Sequence, residues 1–217
     1  MSESGSESGV SQVVTPMPAN DDVPGFPTVT NLLYDPSAED GSVPTWFSST
    51  DANGTLGVST TTGVRTGAQA MKYTAVTGDT ETFASIILIG VVEGNDYTGS
   101  AYLTSSGTRS ARLRIDWLET FSSVPISSSP GSSSALSSTP TRYSVTATAP
   151  ATATRFLLVM ETLTTHSNGE LFYLDDGMLT EGATLEPYFS GDTPDDATYV
   201  YAWTSTPYQS PSTRTPV

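Results

Sequence analysis

Apolar residues in this chain recur at every second position in short runs. No stretch long enough to form a helix shows the 3.6-residue period of an amphipathic helix. Residues 111–117 are the clearest case, with apolar side chains at the odd positions (Leu113, Ile115, Trp117) and charged ones at the even positions (Arg112, Arg114, Asp116). Successive side chains of a strand point to opposite faces, so this run predicts a strand with one core face and one polar face.

Similar signals predict strands along most of the chain, each bounded by Gly, Pro, Asn, Asp or Ser. The predicted strands are 29–34, 56–61, 70–76, 83–92, 97–104, 111–117, 142–149, 155–163 and 171–180. Many short strands separated by turns indicate an all-β, two-sheet β-sandwich. Turn spacing alone leaves a jelly roll and an immunoglobulin-like sandwich open.

The charge balance excludes two classes of function. The chain has 23 Asp and Glu against 8 Lys and Arg, a net charge of -15. Nucleic acids and anionic membranes both require clustered basic residues, so neither is an expected partner. The acidic excess fits either solubility or the binding of divalent cations. The chain has no cysteine, which excludes disulfides and thiolate metal sites.

Composition divides the chain into three segments. Residues 1–28 form an acidic arm rich in Pro, Ser and Gly, residues 29–185 form the sandwich, and residues 186–217 form an aromatic C-terminal extension or hairpin. Residues 122–139 contain ten serines and are expected to be a flexible surface loop without strands. The first residues do not resemble a signal peptide, and the longest apolar run, 86–92, is far short of the roughly 20 residues that span a bilayer.

Two adjacent acids, Asp175 and Asp176, interrupt the strand pattern of residues 171–180. At least one of them must point toward the core or a sheet edge, where a carboxylate needs a cation or several hydrogen-bond donors. In a regular strand the two side chains point to opposite faces. That arrangement is unsuitable for a paired-carboxylate glycosidase, whose two acids face each other across a cleft.

Three stretches resemble landmarks of the family 4/9-like carbohydrate-binding modules. They are the first strand and turn at 31–41 followed by Trp46, the Gly-led turn and strand at 66–73, and the closing strand at 172–179. Gly177 departs from the β-branched apolar residue usual in that family. The resemblance implies a jelly-roll β-sandwich.

The same resemblance implies a structural calcium ion near the first turn. Glu39 and one or both of Asp175 and Asp176 would supply side-chain oxygens, and the turn 67–69 would supply backbone carbonyls. Calcium accepts six to eight oxygen ligands in irregular geometry, which makes this set chemically reasonable. The alternative is that these acids accept hydrogen bonds from backbone amides without a metal.

The C-terminus resembles the ending of minor tail proteins from tailed phages of actinobacteria. The residues that carry the resemblance are 186–195, with the Phe-x-Gly-Asp-Thr segment at 189–193, then 199–207 and 210–214. Ser205 stands where Gly is common. This resemblance implies a virion protein, located first in the tail and second on the capsid surface, and made in the host cytoplasm.

No catalytic motif is present. The sequence has no Gly-x-Ser-x-Gly elbow and no Gly-rich phosphate loop. His166 is the only histidine, and its turn-like surroundings predict an exposed loop residue. We therefore expect a protein that is not an enzyme.

The polar face of the strand at 111–117 is the candidate for ligand binding. Arg112, Arg114 and Asp116 share this face, and Tyr102 is expected nearby as an aromatic surface for a sugar. The alternatives are a solvated outer face and a face covered by another subunit.

Three hypotheses about function follow. The first is a minor tail protein whose sandwich contacts host cell-surface glycan, and the second is a capsid decoration or head-fibre protein. The third is a free glycan-binding module or a fragment of a hydrolase. In the first two, residues 1–28 would contact other virion proteins and the chain would form a homo-oligomer such as a trimer.

Overall fold

The computed structural model describes residues 26–44, 47–48, 54–77, 81–87, 90–120 and 124–217. These residues form β-strands and no helix, which confirms the all-β prediction. The described residues accordingly include no helix long and apolar enough to cross a membrane. Most of the predicted arm (residues 1–25), Trp46 and residues 122–123 of the Ser-rich segment lie outside the described residues.

Two large antiparallel sheets form the sandwich. The first has five strands in the spatial order β10 (Thr141–Thr148), β6 (Asp96–Ser105), β12 (Leu171–Glu181), β4 (Ala70–Thr74) and β3 (Thr55–Ser59). The second has six strands: β2 (Phe47–Ser48), β5 (Glu81–Ile87), β11 (Arg155–Thr162), β7 (Ser110–Leu118) and β8 (Ser127–Pro130) in order, with β9 (Ser134–Ala135) also paired to β7. Each stretch predicted as a strand overlaps one of the observed strands.

An aromatic cluster fills the space between the two sheets. Tyr97 of the five-stranded sheet lies 5.6 Å from Phe156 and 6.1 Å from Trp117 of the six-stranded sheet, measured between ring centroids. All three side chains are almost completely buried. Burial of a large apolar side chain contributes roughly 1.5–3 kcal/mol, so this cluster is a major source of the sandwich's stability.

The alternation predicted for residues 111–117 is confirmed in β7. Leu113, Ile115 and Trp117 are buried in the core cluster. The charged residues between them consequently lie on the outer face of the six-stranded sheet, because side chains alternate along a strand.

The Ser-rich segment was wrongly predicted to lack strands. Ser127–Pro130 pairs with residues 114–117 of β7, and Ser134 pairs with Ala111. The Trp117 indole N–H donates to the Ser129 hydroxyl at 3.0 Å, and Leu136 is fully buried. An edge strand needs only backbone hydrogen bonds on one side, and so it forms here without the apolar alternation that predicts strands.

A third sheet joins the two ends of the described chain. It has the order β1 (Val29–Asn31), β14 (Ser212–Pro216) and β13 (Tyr199–Trp203). The strand β1, predicted to begin the sandwich, thus pairs with the last strand of the C-terminal extension. Arg214 of β14 is buried, donates to Glu186 at 2.8 Å and lies 4.5 Å from the Tyr199 ring centre.

Asn31 connects this third sheet to the sandwich. Its side-chain amide donates to the carbonyls of Gly177 (3.1 Å) and Phe189 (3.3 Å). Its side-chain oxygen accepts from the backbone N–H groups of Leu179 (3.0 Å) and Leu33 (3.2 Å). The side chain is fully buried and satisfied, which fixes β1 and the extension against β12.

We predict that Asn31→Ala lowers the free energy of unfolding by at least about 3 kcal/mol. Four buried backbone groups would lose their partner, and each unsatisfied group costs roughly 1–3 kcal/mol. Urea unfolding followed by tryptophan fluorescence measures the change.

The control is Thr30→Ala on the same strand, where the side chain is only partly buried. We expect it to change stability by less than about 1 kcal/mol. Equal losses in the two variants would contradict the role given to Asn31.

Candidate functional site

The acid pair lies at an irregularity in β12. The pairing of β12 with β6 shifts register between Asp175 and Met178, and Asp176 has a φ of 50°. A β-bulge of this kind redirects side chains that would otherwise alternate. The expectation that the two carboxylates face opposite sides is therefore wrong, because both reach the same loop at residues 65–66.

Asp175 accepts three backbone hydrogen bonds. Its Oδ2 accepts from the N–H groups of Arg65 (2.6 Å) and Thr66 (3.2 Å), and its Oδ1 accepts from the N–H of Asp176 (2.8 Å). The side chain is completely buried. Burial raises its pKa to about 7, and the neighbouring charge of Asp176 adds to the increase, while the three amides oppose it.

Asp176 holds the side chains of the same loop. Its carboxylate forms an ion pair with the Arg65 guanidinium and accepts from the hydroxyls of Thr66 and Ser37, the latter at 3.1 Å. The Arg65 guanidinium lies 3.9 Å from the centre of the Tyr102 ring, a cation–π distance. Tyr102 is thereby brought to the acid cluster.

Glu39 holds the next residues of the loop. Both of its oxygens accept from the Ala68 N–H at 3.0 Å, and Oε1 also accepts from the Gln69 N–H at 3.1 Å. Gly67 has a φ of 65°, and a Cβ there would lie 2.2 Å from Glu39 Oε1. Glycine is required here both for the backbone conformation and for the close approach of the carboxylate.

The turn before Glu39 contains another buried acid. Asp35 Oδ1 accepts from the Glu39 N–H at 2.7 Å, while Oδ2 is buried without a hydrogen-bond partner. Burial is the first cause that raises the pKa of Asp35 to about 7. Residues 65–69 are therefore held between two acidic groups, one on the turn 35–39 and one on β12.

The predicted calcium ligands do not converge as a metal site in this arrangement. Every carboxylate oxygen of Glu39, Asp175 and Asp176 accepts a hydrogen bond from an N–H or O–H group, and Arg65 supplies the positive charge. Among the described residues no group of three or more acids or histidines is placed to hold a metal. These donors favour the amide alternative over calcium, and removal of metal by EDTA tests the choice between them.

The predicted ligand face is an ion-pair ladder on the six-stranded sheet. The Arg112 Nε donates to Glu161 at 2.6 Å, and Arg114 donates to Glu161 at 2.7 Å. Arg114 also forms a bidentate pair with Asp116, with both distances 2.7 Å. These side chains share one face as predicted, and each finds its charge partner within the face.

Tyr102 does not belong to that ladder, which corrects the expectation that it lies nearby. Its neighbours Ala101 and Leu103 are buried in the core, so Tyr102 points away from the core on the five-stranded sheet. The chain crosses from one sheet to the other between β6 and β7. The four predicted ligand residues are therefore divided between opposite faces of the sandwich.

His166 is not the exposed loop residue predicted from the sequence. It is only 3% exposed, packs against Phe172 with 4.9 Å between ring centroids, and hydrogen-bonds the Thr162 hydroxyl through Nε2 at 2.9 Å. Its flanking Thr, Ser, Asn and Gly residues are typical of a turn, so nothing in the sequence indicated that the His166 side chain is buried.

A groove of about 590 Å³ lies beside the acid cluster. Its walls come from the turn 35–39, the loop 65–67 and the C-terminal extension. Of the side chains that line it, only Glu39 was predicted as a site residue from the sequence, and Ser37, Arg65, Tyr188 and Tyr208 are among those that were not. Arg65 had one available signal, since it is one of only 8 basic residues and stands two positions before Gly67.

No family model and no curated protein matches this chain. Solved structures share its fold. A xylan-binding CBM22-1 domain from Paenibacillus barcinonensis Xyn10C aligns with a TM-score of 0.55 and 11% identity, over 70% of this chain and 98% of that domain. The tandem CBM22-1–CBM22-2 structure from the same protein aligns with a TM-score of 0.56 and 10% identity, over 80% of this chain and 50% of that one.

Part of a phage protein has a similar fold. The enzymatically active domain of tailspike protein 4 from bacteriophage CBA120 aligns with a TM-score of 0.51 and 12% identity, over 70% of this chain. The match spans only 21% of that tailspike chain. At these identities the similarities show the fold, and they confirm a β-sandwich like that of carbohydrate-binding modules.

We predict that EDTA leaves the melting temperature of the full chain unchanged, because protein N–H and O–H groups already satisfy the three predicted ligands. Differential scanning calorimetry with and without EDTA measures this. A lower melting temperature that CaCl₂ restores would instead establish the calcium site, since a bound ion stabilises the folded state.

Two variants accompany this experiment. Asp175→Ala removes the acceptor for three backbone N–H groups and is expected to lower the melting temperature with or without EDTA. Glu119→Ala removes a carboxyl group at an exposed position and is expected to leave the melting temperature unchanged.

Proposed function

We propose that this protein is a non-enzymatic virion component of a tailed phage, a minor tail protein whose sandwich contacts glycan on the host cell surface. The single observation that carries the glycan part is the fold, which is shared with xylan-binding modules. The virion part draws support from the C-terminal residues 186–214 that resemble minor tail proteins, and from the part of a phage tailspike chain that has a similar fold.

The arrangement of the acids favours binding over catalysis. A glycosidase needs two carboxylates on either side of a bond, roughly 5–9.5 Å apart, with a free acid to donate a proton. Asp175 and Asp176 are adjacent in sequence, and both are occupied by the loop at residues 65–66. They serve as anchors for the loop beside the groove.

The C-terminal extension fits this proposal because it is built into the domain. Its strand β14 pairs with β1, and its Phe189 is buried, with the carbonyl accepting from Asn31 and the ring 5.6 Å from the Arg214 guanidinium. An integrated extension presents its aromatic residues at fixed positions, as a binding surface requires. We propose residues 1–28 as the contact with other virion proteins, with a homo-oligomer as the assembled form.

Electron microscopy of purified phage particles tests the virion part. We expect antibodies raised against the chain, detected with a gold-conjugated secondary antibody, to label the tail. Labelling of the head shell would instead favour a capsid decoration protein. Particles that contain none of the chain by mass spectrometry would contradict any virion role.

A glycan array probed with the full chain tests the glycan part. We expect binding to oligosaccharides and no release of reducing sugar from them. Absence of binding across an array of neutral and anionic cell-surface glycans would contradict the glycan part. Release of reducing sugar would contradict the non-enzymatic assignment.

A further inference from the structure

We infer that the groove beside the acid cluster is the binding site for a neutral, hydroxyl-rich oligosaccharide, with the Tyr208 ring as its stacking surface. This inference rests on the proposed glycan-binding function and locates that function in the groove. The face of β7 predicted from the sequence is not that place, because its arginines and acids neutralise one another.

The groove has the size and the lining of a sugar site. Its volume of about 590 Å³ falls within the roughly 300–1,000 Å³ typical of small-molecule sites. Two tyrosines, Tyr188 and Tyr208, line it together with the polar residues Ser37, Thr66, Ser190 and Thr193. Aromatic faces with a few fixed polar groups are what the binding of a sugar ring requires.

Backbone strain is concentrated around this groove. Within the described part of the chain, five non-glycine residues have positive φ, and four of them are on or beside the groove walls: Asp35 (43°), Ala38 (60°), Asp176 (50°) and Tyr208 (59°). Such conformations cost roughly 1–3 kcal/mol each and cluster at binding and active sites, where the surrounding structure holds them in place.

Tyr208 is the most informative of the four. Asp tolerates positive φ comparatively well, whereas for a bulky aromatic residue it is rare. The turn is fixed by the Gln209 N–H, which donates to the Thr206 carbonyl at 3.1 Å, and by the Ser210 hydroxyl, which donates to the same carbonyl at 3.0 Å. A strained backbone with a tyrosine in place of glycine indicates that the ring itself is needed.

Neighbouring residues hold the Tyr208 ring in position. Trp203 lies 5.2 Å away between ring centroids, and its indole N–H donates to Asp192 at 3.0 Å. Gly191 packs on the Trp203 ring so closely that a Cβ would lie 2.3 Å from it. A hydrogen bond to Asp192 is also the first cause that raises the pKa of Tyr208 to about 12. The ring is thus preorganised, which reduces the entropy lost on binding.

The charges of the groove select the class of sugar. Glu39 and Asp192 line it, while Arg65, its cation, is already paired with Asp176. The whole chain also carries a net charge of -15. A sugar phosphate or uronate would be repelled, whereas the hydroxyls of a neutral sugar can donate to carboxylate oxygens.

Two substitutions at one position test the assignment. Tyr208→Asn removes the ring and its contact with Trp203 but suits the positive φ, so the relief of backbone strain offsets the lost contact and the fold is retained. Tyr208→Phe keeps the ring and removes only the hydroxyl. The glycan array first identifies further neutral oligosaccharides that bind. Isothermal titration calorimetry of the full chain then measures affinity for these and for xylohexaose, cellohexaose and maltohexaose. Trigalacturonic acid is the anionic comparator.

For the neutral oligosaccharide that binds best, we expect Tyr208→Asn to weaken binding at least tenfold and Tyr208→Phe by less than threefold. Wild-type affinity in a folded Tyr208→Asn variant would overturn the site while leaving the glycan proposal intact. Preferential binding of trigalacturonic acid would overturn the sugar class. No binding by the wild type to any array glycan would overturn the glycan proposal, and the site with it.

Discussion

The burial of two adjacent carboxylates on β12 is the constraint on which the rest of this structure depends. Each would cost several kcal/mol if left without partners. Asp175 accepts hydrogen bonds from the backbone N–H groups of the loop at 65–66. Asp176 forms an ion pair with the Arg65 guanidinium and accepts from the hydroxyls of Ser37 and Thr66. The loop is thereby brought onto β12, and the Gly67 turn that follows it meets Glu39. Four local features are explained by this one requirement: the bulge, the positive φ of Asp176, the glycine at 67 and the position of Arg65.

The same bulge links the sandwich to both ends of the described chain. The Gly177 N–H donates to the Pro36 carbonyl at 2.9 Å, and the Gly177 carbonyl accepts from Asn31 at 3.1 Å. Through Asn31 the bulge holds β1, which in turn pairs with β14 of the C-terminal extension. The groove exists only where these pieces meet, since its walls are the turn 35–39, the loop 65–67 and the extension. Stability and the proposed binding function are therefore coupled at one place.

The sequence predicted those features that depend on local patterns. Alternation in β7 gave the correct core face, and the acid pair within an apolar run gave the correct location of a buried polar cluster. Features that depend on distant partners were not predictable. The bulge depends on hydrogen-bond donors of the loop at 65–66, 110 residues from Asp175 in the sequence. The strand β8 forms because the edge of β7 offers backbone hydrogen bonds, and the side chains of β8 itself do not indicate a strand. His166 is buried because Tyr73 and Phe172 are beside it, which its turn-like neighbours in the sequence do not indicate.

Amide hydrogen exchange tests the role of the carboxylates most directly. We predict that in metal-free buffer the N–H groups of Arg65, Thr66, Ala68 and Gln69 exchange slowly in the wild type. We further predict that Asp175→Ala removes protection at Arg65 and Thr66 while core strands such as β7 remain protected. Rapid exchange at these four positions in the wild type, or unchanged protection in Asp175→Ala, would show that the buried carboxylates do not hold the loop.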